Sequence, residues 1–152
     1  MRILLVAPQP FFEDRGTPIA VRWVAETLCR NGHLVDLLCY PQGETIQEPG
    51  LTIIRCSPPR SLGKIPIGFS WKKLLCDIFL CRTMLQLVTS NQYDVIHAGE
   101  EAIFFAIPLG RWKKAQLVYD MDSSMADQII EKWSWLRHFE VFLNLFEIGR
   151  AS

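Results

Sequence analysis

The chain of 152 residues contains no CxxC pair, no GxGxxG turn and no apolar run approaching the ~20 residues of a membrane-spanning helix. Its most apolar stretch, Leu74 to Leu80, is broken by Asp77. Net charge is missing too, because 16 Lys and Arg offset 16 Asp and Glu. That balance gives no global attraction to nucleic acid or to an anionic membrane. The N-terminal apolar core, Ile3 to Ala7, is shorter than the hydrophobic region of a signal peptide and stops at Pro8. These absences point to a cytoplasmic protein without nucleic-acid partners, whose membrane contact, if any, is peripheral and on the inner face.

Cysteine is present but in no recognisable framework. Cys29, Cys39, Cys56, Cys76 and Cys81 are odd in number and sit among apolar neighbours. They read as buried reduced thiols, acting as small hydrophobes. Apolar residues make up 49% of the chain and charged residues 21%, values that suit a globular domain and exclude disorder. A chain of this length can bury roughly two-thirds of its unfolded surface.

Short apolar runs alternate with helical patterns. Ile3 to Ala7, Leu34 to Cys39, Leu51 to Ile54, Tyr93 to His97 and Leu117 to Tyr119 read as strands. Unbroken apolar runs of this length suit strands buried on both faces of a parallel sheet. Thr17 and Pro18 open a helix that places Ile19, Val21, Val24, Ala25 and Leu28 on one face and stops at Asn31-Gly32. Pro41 to Gly50 and residues 57 to 68 read as loops. Helices are expected over Phe69 to Val88, Glu100 to Leu109, Ser123 or Ser124 to Glu131, and Trp135 to Ile148. The order β-α-β-β-α-β-α-β-α predicts an α/β fold: a Rossmann-like parallel sheet with helices on both faces, as one domain over residues 1–152.

In such a sheet ligands bind at the carboxyl ends of the strands. Three places qualify. After the first strand, Arg15, Gly16 and Thr17 stand at a helix N-terminus, where free amides and a guanidinium suit a phosphate. The same residues also suit a plain turn. His97, with Glu100 and Glu101 close behind it, could act as base or orienter. Equally, His97 could be a satisfied strand-edge histidine and the glutamates favourable acids in a first helical turn. Asp120, Asp122 and Ser123 follow the fifth strand, where they could hold sugar hydroxyls or cap the next helix. A metal would need more ligands than this segment offers. Lys72, Lys73, Arg137 and His138 flank aromatic and leucine-rich helices that could lie on a bilayer surface or pack on the sheet.

The segment MRILLVAPQPFFEDRGTPIAVRWVAETLCRNGHLVDLLCY resembles the opening of family-4 glycosyltransferases, with strand, glycine loop, helix and "GH-x-V" into the second strand. YDVIHAGEEA is similar to their fourth-strand segment, and LVYDMDSSMADQ to the segment after the fifth. The resemblance implies the N-terminal half of a GT-B enzyme. In that arrangement an acceptor-side domain faces a C-terminal domain that binds the nucleotide-sugar. It implies that Gly16 and Thr17 approach the donor diphosphate, that His97 faces the reacting sugar, and that Asp120 and Asp122 lie near the sugars. Many members carry a second histidine two places after the first. Gly99 stands there, so Glu100 or Glu101 is the substitute polar group. No metal and no separate cofactor are implied, the nucleotide-sugar being a substrate, and the acceptor is a carbohydrate or a lipid-linked glycan.

The family's donor-binding residues belong to a C-terminal domain for which these 152 residues leave no room. The ending Gly149-Arg150-Ala151-Ser152 reads as a truncation or a partial reading frame. Two expectations follow: an enzyme half with negligible activity alone, or a non-catalytic binding module, free-standing or paired with a separate donor-binding subunit. A flavodoxin-like or dinucleotide-binding domain is disfavoured by the missing glycine fingerprint.

Overall fold

The computed structural model describes residues 1–11, 16–58 and 70–120. Five strands appear: β1 Arg2–Ala7, β2 Leu34–Cys39, β3 Leu51–Arg55, β4 Val95–Gly99 and β5 Gln116–Asp120. Three α-helices accompany them: α1 Gly16–Arg30, α2 Trp71–Ser90 and α3 Ile103–Lys113. The strands form one sheet in the order β3-β2-β1-β4-β5, with every pairing parallel. This is the Rossmann-like α/β sheet expected from the alternation of apolar runs. The strand order reverses between β1 and β4, which defines the switch point where a crevice opens.

The period-2 alternation of strands divides the core into two layers. Leu4, Val6, Leu38, Ile96 and Ala98 point to the layer covered by α2 and α3, where Leu80, Met84, Val88 and Ala106 meet them. Leu5, Ala7, Val35, Leu37 and Cys39 point the other way, onto Ala25 and Cys29 of α1. Helices therefore lie on both faces. Four of the five cysteines are buried, Cys81 is half-buried, and all are free thiols.

Local signals fix the helix ends. Gly32 has φ of +79°, and the bonds from Gly32 N to Cys29 O (2.9 Å) and from His33 N to Leu28 O (3.1 Å) form a Schellman stop. Ser70 caps α2, its hydroxyl accepting from Lys73 N at 3.1 Å. The helix read as starting at Phe69 thus starts at Trp71 and runs on to Ser90. α2 buries Cys76, Leu80, Met84 and Val88, whereas Trp71, Leu74, Ile78 and Leu85 remain exposed. No helix among the described residues is long and apolar enough to cross a membrane.

β2 and β3 are joined by residues 40–50 without a helix. The Arg55 guanidinium takes a helix's place as the fastener. It donates to the carbonyls of Tyr40 (3.3 Å), Gln42 (2.6 Å) and Glu44 (2.8 Å). Ile46 packs from this loop onto the α1-side layer. At the amino ends of the strands, buried Asp36 accepts from Arg2 Nη2 at 2.7 Å and from the Tyr93 hydroxyl at 2.8 Å. That network sits at the end of the sheet away from the crevice.

Candidate functional site

A shallow crevice lies at the carboxyl ends of β1, β4 and β5. Its polar wall is made by Gln9, Thr17, His97, Glu100 and Asp120, with Gly99 at the end of β4. Gly16 opens α1 at φ of +25°, and Thr17 follows it on the crevice wall. The sequence suggests Thr17 as the helix cap. The helix begins one residue earlier, so Thr17 lies in its first turn.

His97 is placed differently from the expectation. The fourth strand runs two residues beyond it, and His97 pairs with Leu5 on one side and Val118 on the other. It therefore enters the crevice from the α1-side face of the sheet, below the strand end. Its Nε2 lies 3.7 Å from Asp120 Oδ2, which reaches over from the end of β5. Burial lowers the His97 pKa below 6.5, and Asp120 opposes that shift without cancelling it. A neutral imidazole beside a carboxylate is equipped to accept a proton or to orient a hydroxyl.

Glu100 and Glu101 are not acids in the first turn of an α-helix. They form a short 3-10 turn, Glu100–Ala102, and α3 starts only at Ile103. Glu100 has φ of +46°, a left-handed conformation that a side chain other than glycine seldom adopts. Both carboxylates turn toward α2. Lys73 Nζ lies 3.1 Å from Glu100 Oε2, and 2.7 Å from Glu101 Oε1 as an ion pair without hydrogen-bond geometry. Lys73 is thus held inside the fold rather than on the solvent-facing side of the helix. Glu100 still lines the crevice; Glu101 does not.

One helical turn beyond Lys73, Asp77 is buried and accepts a hydrogen bond from the Tyr40 hydroxyl. Two carboxylates thus pair with the Lys73 ammonium, and a third lies one helical turn away. Burial raises the Asp77 carboxyl, with Glu100 adding to the effect and Tyr40 and Lys73 opposing it. Burial also raises Glu100, against the pull of Lys73. Burial alone would depress Lys73, but Glu101 and Glu100 together hold its ammonium above the usual value. The cluster anchors the turn after β4 to α2 and fixes the floor of the crevice.

The sequence does not mark Gln9 as a crevice residue, nor Tyr40 and Lys73 as partners of the buried carboxyls. The available signals were a Pro8-Gln9-Pro10 segment straight after β1, and Lys73 and Asp77 one turn apart in an otherwise apolar helix. Arg15, Asp122, Ser123 and the last two expected helices lie outside the described residues. Among the described residues, no group of three His, Cys, Asp or Glu side chains is arranged to hold a metal ion.

No known protein-family model and no curated protein matches the chain. Solved structures do. A sucrose-phosphate synthase from Thermosynechococcus elongatus superimposes with a TM-score of 0.62 at 16% identity, over 94% of this chain and 39% of that one. A second structure of that synthase gives 0.59 at 17% identity, over 86% of this chain and 68% of that one. At such identities the likeness concerns the fold alone: the chain is a Rossmann-like α/β domain that superimposes on part of that synthase.

Proposed function

We propose that the chain is the acceptor-side, N-terminal half of a family-4, GT-B glycosyltransferase, which moves a sugar from a nucleotide-sugar to a carbohydrate or lipid-linked acceptor. The observation that supports this reading best is the convergence of Thr17, His97, Glu100 and Asp120 on one crevice at the switch point of the sheet. In the proposed arrangement, the amides at Gly16 and Thr17 face the donor diphosphate, with Arg15 as an added charge. His97 and Asp120 hold hydroxyls of the reacting sugars, and Asp122 and Ser123 extend that edge. Glu100 supplies the polar group beside Gly99. Catalysis then rests on positioning and on stabilising the leaving diphosphate. The donor-binding wall comes from a second domain or subunit, so these 152 residues alone have negligible turnover.

Titration with UDP-glucose, followed by heteronuclear NMR, tests this. The expected result is a shift of the Thr17, His97 and Asp120 resonances with no release of UDP. Resonances of the crevice that stay still at millimolar UDP-glucose would refute the reading, as would enzyme-like turnover by this chain alone.

A further inference from the structure

Gln9 sits two residues past the end of β1, between Pro8 and Pro10. Proline fixes its own φ, and a residue before proline is kept out of the helical region. The Gln9 N–H donates to Ala7 O at 2.8 Å, and the Gln9 carbonyl accepts from Tyr40 N at 3.1 Å. Sequence and hydrogen bonds therefore hold this backbone from both sides. Gln9 lines the crevice with Thr17, His97 and Glu100. Its Nε2 atom is buried, and among the described residues no protein group hydrogen-bonds to it.

That combination is costly for the unliganded fold. A buried amide without a partner destabilises the chain, and folded proteins satisfy nearly all such groups. Leucine would fill the same volume without the penalty. An unpartnered carboxamide on a fixed backbone beside a crevice is suited to a partner that arrives from outside.

We propose that Gln9 is a ligand-contacting, specificity-determining residue of the crevice, its carboxamide hydrogen-bonding an oxygen of the bound sugar or phosphate. The proposal rests on the transferase reading only for the class of ligand. The carboxamide has a donor end and an acceptor end. Either end serves a sugar hydroxyl, whereas only the N–H₂ end serves a phosphate.

The Gln9 side-chain amide resonance reports contact directly in the wild-type chain. Separate titrations with UDP-glucose, methyl glucoside and inorganic phosphate tell a sugar oxygen from a phosphate oxygen. The expected result is a shift with UDP-glucose and with one of the other two probes. In Q9L the crevice response to UDP-glucose should weaken about tenfold, while the melting temperature rises by about 2–4 °C. Lower melting of Q9L overturns the proposal, and so does a Gln9 resonance unmoved by all three probes. A shift of Gln9 with glucoside or phosphate, while Thr17 and His97 ignore UDP-glucose, would remove the transferase reading and keep Gln9 as a contact residue.

Discussion

Lys73 on α2 meets Glu100 at the end of β4, with Nζ 3.1 Å from Oε2, and so ties the second helix to the wall of the crevice. Glu101 completes the clamp at 2.7 Å. All three side chains are about 15% exposed or less. Replacing Lys73 by Met would leave two half-buried carboxylates without a counterion, at a cost below the ~3–5 kcal/mol of breaking a fully buried pair. Urea denaturation at neutral pH measures it. Lys73→Arg, which keeps the charge, should recover much of the loss.

Asp77 and Glu100 give the fold a distinctive pH response. Both carboxyls are raised in the folded chain above ordinary values of 3.8 and 4.5. The folded state then holds protons that the unfolded chain releases. The stability tied to those protons is complete below the ordinary values and is lost as pH rises through the raised ones. Asp77→Asn removes one titration. The stability of wild type minus that of D77N should therefore fall as pH rises from about 4 toward neutrality. A difference that stays flat, or rises, across that window contradicts the assignment.

His97 responds in the opposite sense. Its folded-state pKa is lowered, so the stability it contributes is present above 6.5 and declines as pH falls through the lower folded value. NMR titration of the imidazole should give a midpoint below 6.5. Asp120 opposes the shift, so Asp120→Asn should move the midpoint lower still. An upward movement in D120N would show that the 3.7 Å approach of the two side chains does not govern the titration.

Gly110 in α3 has a packing reason that propensity would miss. Glycine to alanine in a helix interior normally gains about 1 kcal/mol. A β-carbon at Gly110 would stand 2.5 Å from Leu117 Cδ2 and 2.9 Å from Leu117 Cγ. Gly110→Ala should therefore lower the melting temperature, because Leu117 must leave its place on β5. A variant that melts higher than wild type would mean that Leu117 moves aside at little cost.

The sheet was legible in the sequence because its strands are short, mainly apolar runs, with β1 and β2 buried on both faces. Boundaries were less so at β4. The apolar pattern ends at His97, but Ala98 and Gly99 continue the strand although their small side chains add little apolar signal. Tyr93, read as strand, lies before it and sends its hydroxyl to Asp36. The left-handed turn at Glu100 had no residue-type signal, since glycine is the usual marker of such a turn. Thr17, His97, Glu100 and Asp120 could be collected by the strand-end rule alone. Lys73 could not, because its partners lie 27 and 28 positions away, and only the docking of α2 beside β4 brings them together.

The position of β1 carries a consequence for how the molecule is assembled. Residues 2–7 form the middle strand, bonded to β2 on one side and to β4 on the other. The pairing of Ile3 with Val95 spans 92 positions, a separation that slows folding through the entropy of closing so long a loop. During synthesis β1 emerges before either of its partners, and one edge of it stays open until residues 95–98 follow. Deleting the first seven residues would therefore divide the sheet into two strand pairs, each with half of its core facing water.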